Sequence, residues 1–143
     1  MASVNALGSS VSATAEAAGT AQLDCDVTAL TEKDGVITSC YIDSLQAKVS
    51  FDTTGTITTD LTVAPQTKNE LGANYGMVAW GGAVAEWDAQ AAAFATYVVG
   101  KTAQEVEGIA ITESIPIEGV DAGATVTIYF GNLQALVLKA IAG

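Results

Sequence analysis

The first part of the chain alternates apolar and polar residues, which is the pattern of β-strands with one buried face. In residues 21–30, apolar side chains occupy every second position: Leu23, Cys25, Val27 and Ala29. The run 32–35 contains charged residues and a glycine and indicates a turn, and residues 36–43 form a second run typical of a strand. These segments predict a β-hairpin over residues 21–44.

The same pattern continues further along the chain. Residues 47–51 and 56–63 are again typical of strands, and the turn signal 52–55 separates them. We therefore expect two successive hairpins in a meander. Residues 1–20 are mostly small and polar, and they predict an irregular N-terminal segment.

Beyond the hairpins, the spacing of apolar residues becomes that of helices. The clearest helix is predicted over residues 83–99, where one face carries Ala83, Val84, Trp87, Ala91, Phe94, Ala95 and Val98. A second amphipathic helix is predicted over 132–142. Thr67 and Thr102 are each followed three residues later by a glutamate, a capping-box pattern that predicts short helices. Hairpins followed by helices indicate an antiparallel α+β fold, with residues 21–143 as a single domain.

The charge of the chain excludes several classes of function. Sixteen acidic residues face five lysines, without arginine or histidine, and the net charge is −11. Nucleic acids and anionic membranes are bound by clustered basic residues, so neither is expected as a partner. The lack of His and Arg also removes Ser-His-Asp catalysis, imidazole metal ligands and guanidinium phosphate clamps. We therefore predict no catalytic residue, no metal site and no autonomous enzyme.

Charged residues make up only 15% of the chain, less than the usual ~25% of soluble domains. A weakly charged surface favours self-association, although an exported protein with an Ala- and Thr-rich surface has the same composition. Acidic residues that alternate with apolar ones, such as Asp24 and Asp26, are expected to face solvent. No apolar run reaches the ~20 residues of a membrane span, and the first residues lack the pattern of a signal peptide.

The glycine-rich segment 72–82 predicts a loop that presents Tyr75 and Trp80 as aromatic platforms for a flat ligand or a neighbouring subunit. The alternative is that these rings only cover the core. We expect Glu86 and Asp88 to satisfy the start of the long helix, which argues against an anion there.

The two cysteines are expected to be small, buried residues of the first hairpin, and the alternative is a disulfide, which would need a bulge or a longer loop. With a turn at residues 32–35, Cys40 would face Val27, and Cys25 would lie diagonally on the same face of the sheet. Residues 100–102 match only the end of a phosphate-binding loop, because Ala95 stands where that motif requires glycine.

The segment 120–128, Val-Asp-Ala-Gly-Ala-Thr-Val-Thr-Ile, resembles the late motif of the FMN-binding domain family of exported bacterial proteins, and the first hairpin resembles that family's start. The resemblance implies an FMN-binding-domain-like fold and FMN esterified to Thr125. It also implies a site with Asp121, Gly123, Ala124 and Thr127 beside the flavin, and Tyr75 or Trp80 stacked on its ring. Asp121 lies closer to the threonine than in the family, and Ala122 replaces its Ser or Thr. The alternative is an ordinary turn entering a strand.

Residues 67–77 and 85–102 resemble segments of secreted lipoproteins of Gram-positive anaerobes. Together these resemblances predict an extracytoplasmic or cell-surface binding module, an electron carrier if flavin is bound. The alternative hypothesis is a structural subunit of a surface layer, filament or lipoprotein assembly. A third is a small-molecule binding protein that uses the loop 72–82.

Overall fold

The computed structural model describes residues 1–110, 115–116, 125–126, 128 and 131–143, with residues 115–116 and 125–126 described by their backbone alone. Its centre is a long antiparallel ribbon of strands β2 (Gly19–Lys33) and β3 (Val36–Phe51). The two strands are joined by Asp34 and Gly35, whose φ angles of 54° and 79° are those of a two-residue type I′ turn. The first hairpin is therefore confirmed, with a tighter turn than predicted.

The N-terminal segment differs from the prediction. Residues 1–20 were expected to be irregular, yet Ala2–Leu7 form strand β1, which pairs antiparallel with β2 and gives the sheet order β1-β2-β3. The predicted meander is also wrong in part, because β3 continues without a break to Phe51. No glycine or proline interrupts residues 36–51, so the strand continues for as long as β2 can pair with it.

The helices follow their local signals closely. Both capping boxes are formed, so Thr67 precedes α1 (Lys68–Leu71) and Thr102 precedes α4 (Ala103–Glu107). The predicted C-terminal helix is confirmed as α5 (Gly131–Ile141).

The long helix is confirmed in part. Helix α3 spans Trp87–Val98 rather than 83–99, because Glu86 has the extended backbone of an N-cap and Val84 lies exposed before it. The predicted loop 72–82 contains a 3₁₀ helix, Gly72–Tyr75, and a short helix α2, Met77–Gly81. Among the described helices, none has the length and apolar character needed to cross a bilayer.

The hydrophobic core lies on one side of the sheet, where α3 packs on β3 and α5 packs on β2 and β1. Its buried residues include Ile37, Ile42, Trp87, Phe94, Val98, Val106, Leu133, Leu136 and Val137. The covered face of β2 is the one that carries Asp24, Asp26 and Thr28, and Thr28 is only 1% exposed. The expectation that Asp24 and Asp26 face solvent is therefore wrong, since both are half-buried while Leu23 and Val27 lie on the open face.

The outer edge of β3 is covered by three segments that follow it in the chain. Leu45 lies opposite Thr67 in a short bridge. The other backbone bonds at this edge are Ile37 N–H to Lys101 C=O at 3.0 Å, Gly100 N–H to Ile37 C=O at 2.8 Å, and Thr58 N–H to Ser50 C=O at 2.8 Å. This edge is thereby protected against pairing with another strand.

A second, two-stranded sheet is formed by β4 (Ile115–Pro116) and β5 (Thr125–Val126), which pair antiparallel, and β5 lies against α3. The neighbouring residues of the predicted flavin motif, Asp121, Gly123, Ala124 and Thr127, lie outside the described residues.

Candidate functional site

A cleft opens where the starts of α3 and α5 meet the covered face of β2. Its volume is about 340 Å³, within the range of small-molecule sites. It is lined by Asp26, Lys68, Tyr75, Met77, Trp87, Ile128, Asn132 and Leu133. Because these side chains include a carboxylate, an ammonium, an amide and two aromatic rings, the cleft can contact both polar and flat apolar groups of a ligand.

Lys68 supplies the positive charge of this cleft. It is the first residue of α1, and the capping box of Thr67 and Glu70 fixes the turn from which it projects. Its Nζ lies 5.0 Å from the centroid of the Tyr75 ring and 4.9 Å from that of Trp87. Both distances are those of cation–π contacts, which hold the ammonium group between two aromatic residues.

Tyr75 is positioned from the sheet. Its hydroxyl group donates a hydrogen bond to Gln46 Oε1 at 3.2 Å, and it ends the 3₁₀ helix that follows α1. The ring is half-buried against the hydrophobic core. Tyr75 lies in the cleft and also packs on the core, so its role as an aromatic platform stays a prediction.

Glu86 fixes the segment that carries Met77. Its carboxylate accepts hydrogen bonds from the backbone N–H groups of Met77 at 2.9 Å and Val78 at 3.1 Å. Glu86 makes no side-chain cap on α3. The expectation that it satisfies the start of the long helix is therefore corrected, since its carboxylate serves the first turn of α2.

Trp80 does not line the cleft. Its side chain is 82% exposed, and its ring lies against the backbone of Gly76, at the start of α2. The structure therefore separates the two predicted aromatic platforms, with Tyr75 inside the cleft and Trp80 on the surface.

The last residue of the segment that resembles the flavin motif reaches the cleft. Ile128 lines it, and the Ile128 N–H group donates a hydrogen bond at 3.0 Å to the buried side chain of Gln90. Thr125, three residues earlier, pairs with Pro116 in the small sheet. Tyr75 and the chain just after Thr125 thus approach the same cleft.

Lys68, Trp87 and Asp26 are among the cleft residues that were not predicted as site residues from the sequence. Lys68 follows a capping threonine, so the sequence predicts its place at the start of a helix. Its contacts with Tyr75 and Trp87 depend on tertiary structure and could not be predicted. Trp87 was assigned to the core, and its ring indeed is buried. Asp26 was assigned to a solvated face because the apolar residues beside it suggested that the opposite face was buried.

The cysteines lie on opposite faces of the sheet. Cys40 pairs with Leu30 and Cys25 pairs with Leu45, and these two pairs are separated by an odd number of residues along the strands. The predicted placement on one face is therefore wrong, because a register shift at Thr31 and Glu32 gives β3 one extra residue after the two-residue turn. Both are free thiols. Burial raises the pKa of Cys40, and a hydrogen bond with Thr28 at 3.6 Å only partly offsets this.

Two further cavities formed by described residues offer less to a charged ligand. One, of about 380 Å³, lies between β3 and α3 and includes Cys40, Asn69 and Asp88. The other, also about 380 Å³, lies beside Val11 and Phe51. Neither has a basic side chain among its lining residues. Within the described residues, no three Cys, Asp or Glu side chains converge in a group that could hold a metal ion.

Comparisons of this chain with protein-family models, with curated proteins and with solved structures gave no match.

Proposed function

We propose that this protein is an extracytoplasmic binding module whose ligand is FMN or a molecule of the same chemistry, a flat ring that carries a phosphate. The supporting observation is the cleft that combines Lys68 and Tyr75 with Ile128, the last residue of the segment that resembles the flavin motif. The proposal assigns no catalytic residue to the chain and includes an FMN-binding-domain-like fold.

The residues of the cleft fit the two parts of such a ligand. An ammonium group is a suitable partner for a phosphate, and Lys68 is the basic residue among those that line the cleft. Tyr75 and Trp87 provide aromatic surface, although their contacts with Lys68 mean that a stacked ring would have to move the ammonium group aside. Thr125 remains the predicted attachment residue. When bound, a flavin supplies the electron-transfer chemistry, and the protein supplies orientation.

The proposal is tested by the absorption spectrum of protein expressed in a host that attaches flavin, and by titration of purified protein with FMN and with riboflavin. We expect a yellow protein whose flavin survives denaturation and is lost in Thr125→Ala but kept in Thr127→Ala. In the titration, FMN should bind at least about tenfold tighter than riboflavin, since only FMN offers a charged partner to Lys68. A colourless protein that binds neither molecule would exclude the proposal.

A structural subunit of a surface assembly is the second candidate. It is supported by the open face of the sheet, where Leu23 and Val27 of β2 and Tyr41 of β3 are exposed. A colourless protein that elutes as a large species from a sizing column would favour this function over ligand binding.

A further inference from the structure

The two edges of the main sheet differ in how far they are covered. The edge of β3 is covered by later segments, whereas β1 pairs, among the described residues, on one side only, with β2. The Gly8 N–H group donates to the Gln22 carbonyl at 2.9 Å, which shows which residues of β1 direct their N–H and C=O groups towards β2. Because hydrogen-bonded pairs recur at every second residue, Ala2, Val4 and Ala6 bond to β2. Ser3, Asn5 and Leu7 therefore direct their N–H and C=O groups away from the sheet.

Most of this outer edge is open among the described residues. Lys139 of α5 donates a hydrogen bond at 2.8 Å to the Ser3 carbonyl, which occupies the first outward-facing residue. Asn5 and Leu7 have no such partner in the described part of the chain, and the Leu7 side chain is 86% exposed. Native sheets normally protect such an edge with lysine, proline or a bulge, and β1 has none of these.

We propose that β1 is a self-association edge, which pairs antiparallel with β1 of a second copy of this chain. The pairing is two-fold symmetric, with Ala6 of each copy on the axis. Asn5 of one copy and Leu7 of the other then exchange both backbone hydrogen bonds, twice per dimer. This register leaves the bond between Lys139 and Ser3 in place, which a register centred on Asn5 would not.

Charge and apolar contact both favour a second copy of this chain as the partner of the β1 edge. The chain has a net charge of −11, but residues 2–15 contain no charged side chain, so two copies can approach here with the least repulsion. Leu7 lies on the open face beside Leu23, its partner on β2, and pairing extends this apolar face into the second copy. The contact is smaller than a standard interface of about 1,600 Å², so we expect a concentration-dependent dimer.

The test is sedimentation of the full chain over a wide concentration range, with two proline variants that separate pairing from folding. Asn5→Pro removes an N–H group that points outward, and proline is tolerated at such an edge position. It should stay folded and weaken the dimer by roughly tenfold or more, since two of four intermolecular bonds are lost. Ala6→Pro removes a bond to β2 and should instead lower the melting temperature. Leu7→Lys provides a second edge variant that places a charge on the interface and leaves the strand's backbone unchanged.

Cross-linking tests the register. In a background of Cys25→Ser and Cys40→Ser, Ala6→Cys should form a disulfide-linked dimer, because residues facing each other in a non-hydrogen-bonded pair have Cα atoms only about 4.5 Å apart. Asn5→Cys should cross-link much less. A wild-type chain that is monomeric at every concentration, a dimer that Asn5→Pro and Leu7→Lys both leave unchanged, or preferential cross-linking through Asn5→Cys would each overturn the proposal.

Discussion

The ammonium nitrogen of Lys68 lies 4.9 Å from the centroid of the Trp87 ring, so a charge from the first turn of α1 covers the first residue of α3. This contact joins two elements that are separated by the 3₁₀ helix and α2. It also places the cation of the cleft beside its largest aromatic surface. The stability of this corner and the proposed binding of an anionic ligand therefore both involve the Lys68 side chain.

We expect Lys68→Met to weaken FMN binding by about tenfold or more, with a loss of unfolding free energy of no more than about 1 kcal/mol. The methionine keeps most of the apolar contact with Tyr75 and Trp87 and removes the charge. Lys101→Met is the matched control, because Lys101 Nζ lies 4.4 Å from the centroid of the Tyr97 ring, and Lys101 is not among the cleft residues. Calorimetric titration and thermal melts of both variants measure the difference. Equal losses of FMN affinity in the two variants would contradict the role of Lys68.

The capping box of α4 gives a prediction on pH. The Thr102 N–H and hydroxyl groups donate to Glu105 Oε2 at 2.8 and 2.9 Å, and these bonds hold the pKa of Glu105 below its ordinary range. A lowered folded pKa stabilises the fold above the unfolded value of about 4.3, and this stability is lost as the pH falls through the folded pKa. By calorimetry, Glu105→Gln should therefore melt below the wild type at neutral pH, and the difference should shrink as the pH falls below about 4.3.

The control for this prediction is Glu107→Gln, which removes the same charge from the same helix. Among the described bonds, the Glu107 carboxylate caps no backbone group, so its replacement should not give the same pH-dependent difference. A Glu105→Gln melting temperature that differs from the wild type by the same amount at all pH values would contradict the link to ionisation.

The glycine at the start of α2 gives a prediction on backbone conformation. Gly76 has φ of 81°, and a Cβ added there would overlap the Trp80 ring, whereas Gly35 has φ of 79° with open space around it. Gly35→Ala should lower the free energy of unfolding by roughly 1–2 kcal/mol, because alanine disfavours the left-handed conformation. Gly76→Ala should lower it further, and adding Trp80→Ala to Gly76→Ala should reduce the loss to that of Gly35→Ala. Denaturant unfolding measures all three, and equal costs at the two glycines would show that Trp80 does not press on this position.

The placement of the thiols gives a prediction on oxidation. Because Cys25 and Cys40 project from opposite faces of one sheet, mild oxidation of the folded monomer should produce no internal disulfide. Burial raises the pKa of Cys40, so its alkylation should be slow at neutral pH and increase steeply on unfolding. Mass spectrometry of alkylated peptides measures both. An internal disulfide formed without loss of the native melting transition would contradict the register of β2 and β3.

The elements that were predicted correctly are those whose signals are local. Thr67 and Thr102 begin their helices because each needs only the glutamate three residues later, and α5 follows its own apolar face. The long helix was predicted four residues too early because Ala83 and Val84 fit its apolar face, although they lie before the N-cap Glu86.

The errors concern contacts between distant segments. Ala2–Leu7 become a strand because β2 offers a partner, which no local pattern in a small, polar segment reveals. The alternation in residues 21–30 located the strand correctly but gave the wrong buried face, since helices α3 and α5 cover the side of Thr28. The cleft was found only in part for the same reason. Tyr75 could be singled out as an aromatic residue in a glycine-rich segment. Its proximity to Lys68, Asp26 and Ile128 arises only when four separate segments of the chain pack together.

The covered edge of β3 has a consequence for how this chain tolerates change over evolution. The segments at Thr58, Gly100 and Lys101 bond to β3 through main-chain atoms, which every residue except proline possesses in full. Apart from Gly100, whose φ of 84° favours glycine, the side chains at these positions can therefore vary in related proteins without loss of the edge. The spacing of these segments along the chain, and the exclusion of proline at the donating positions, should persist where residue identity does not.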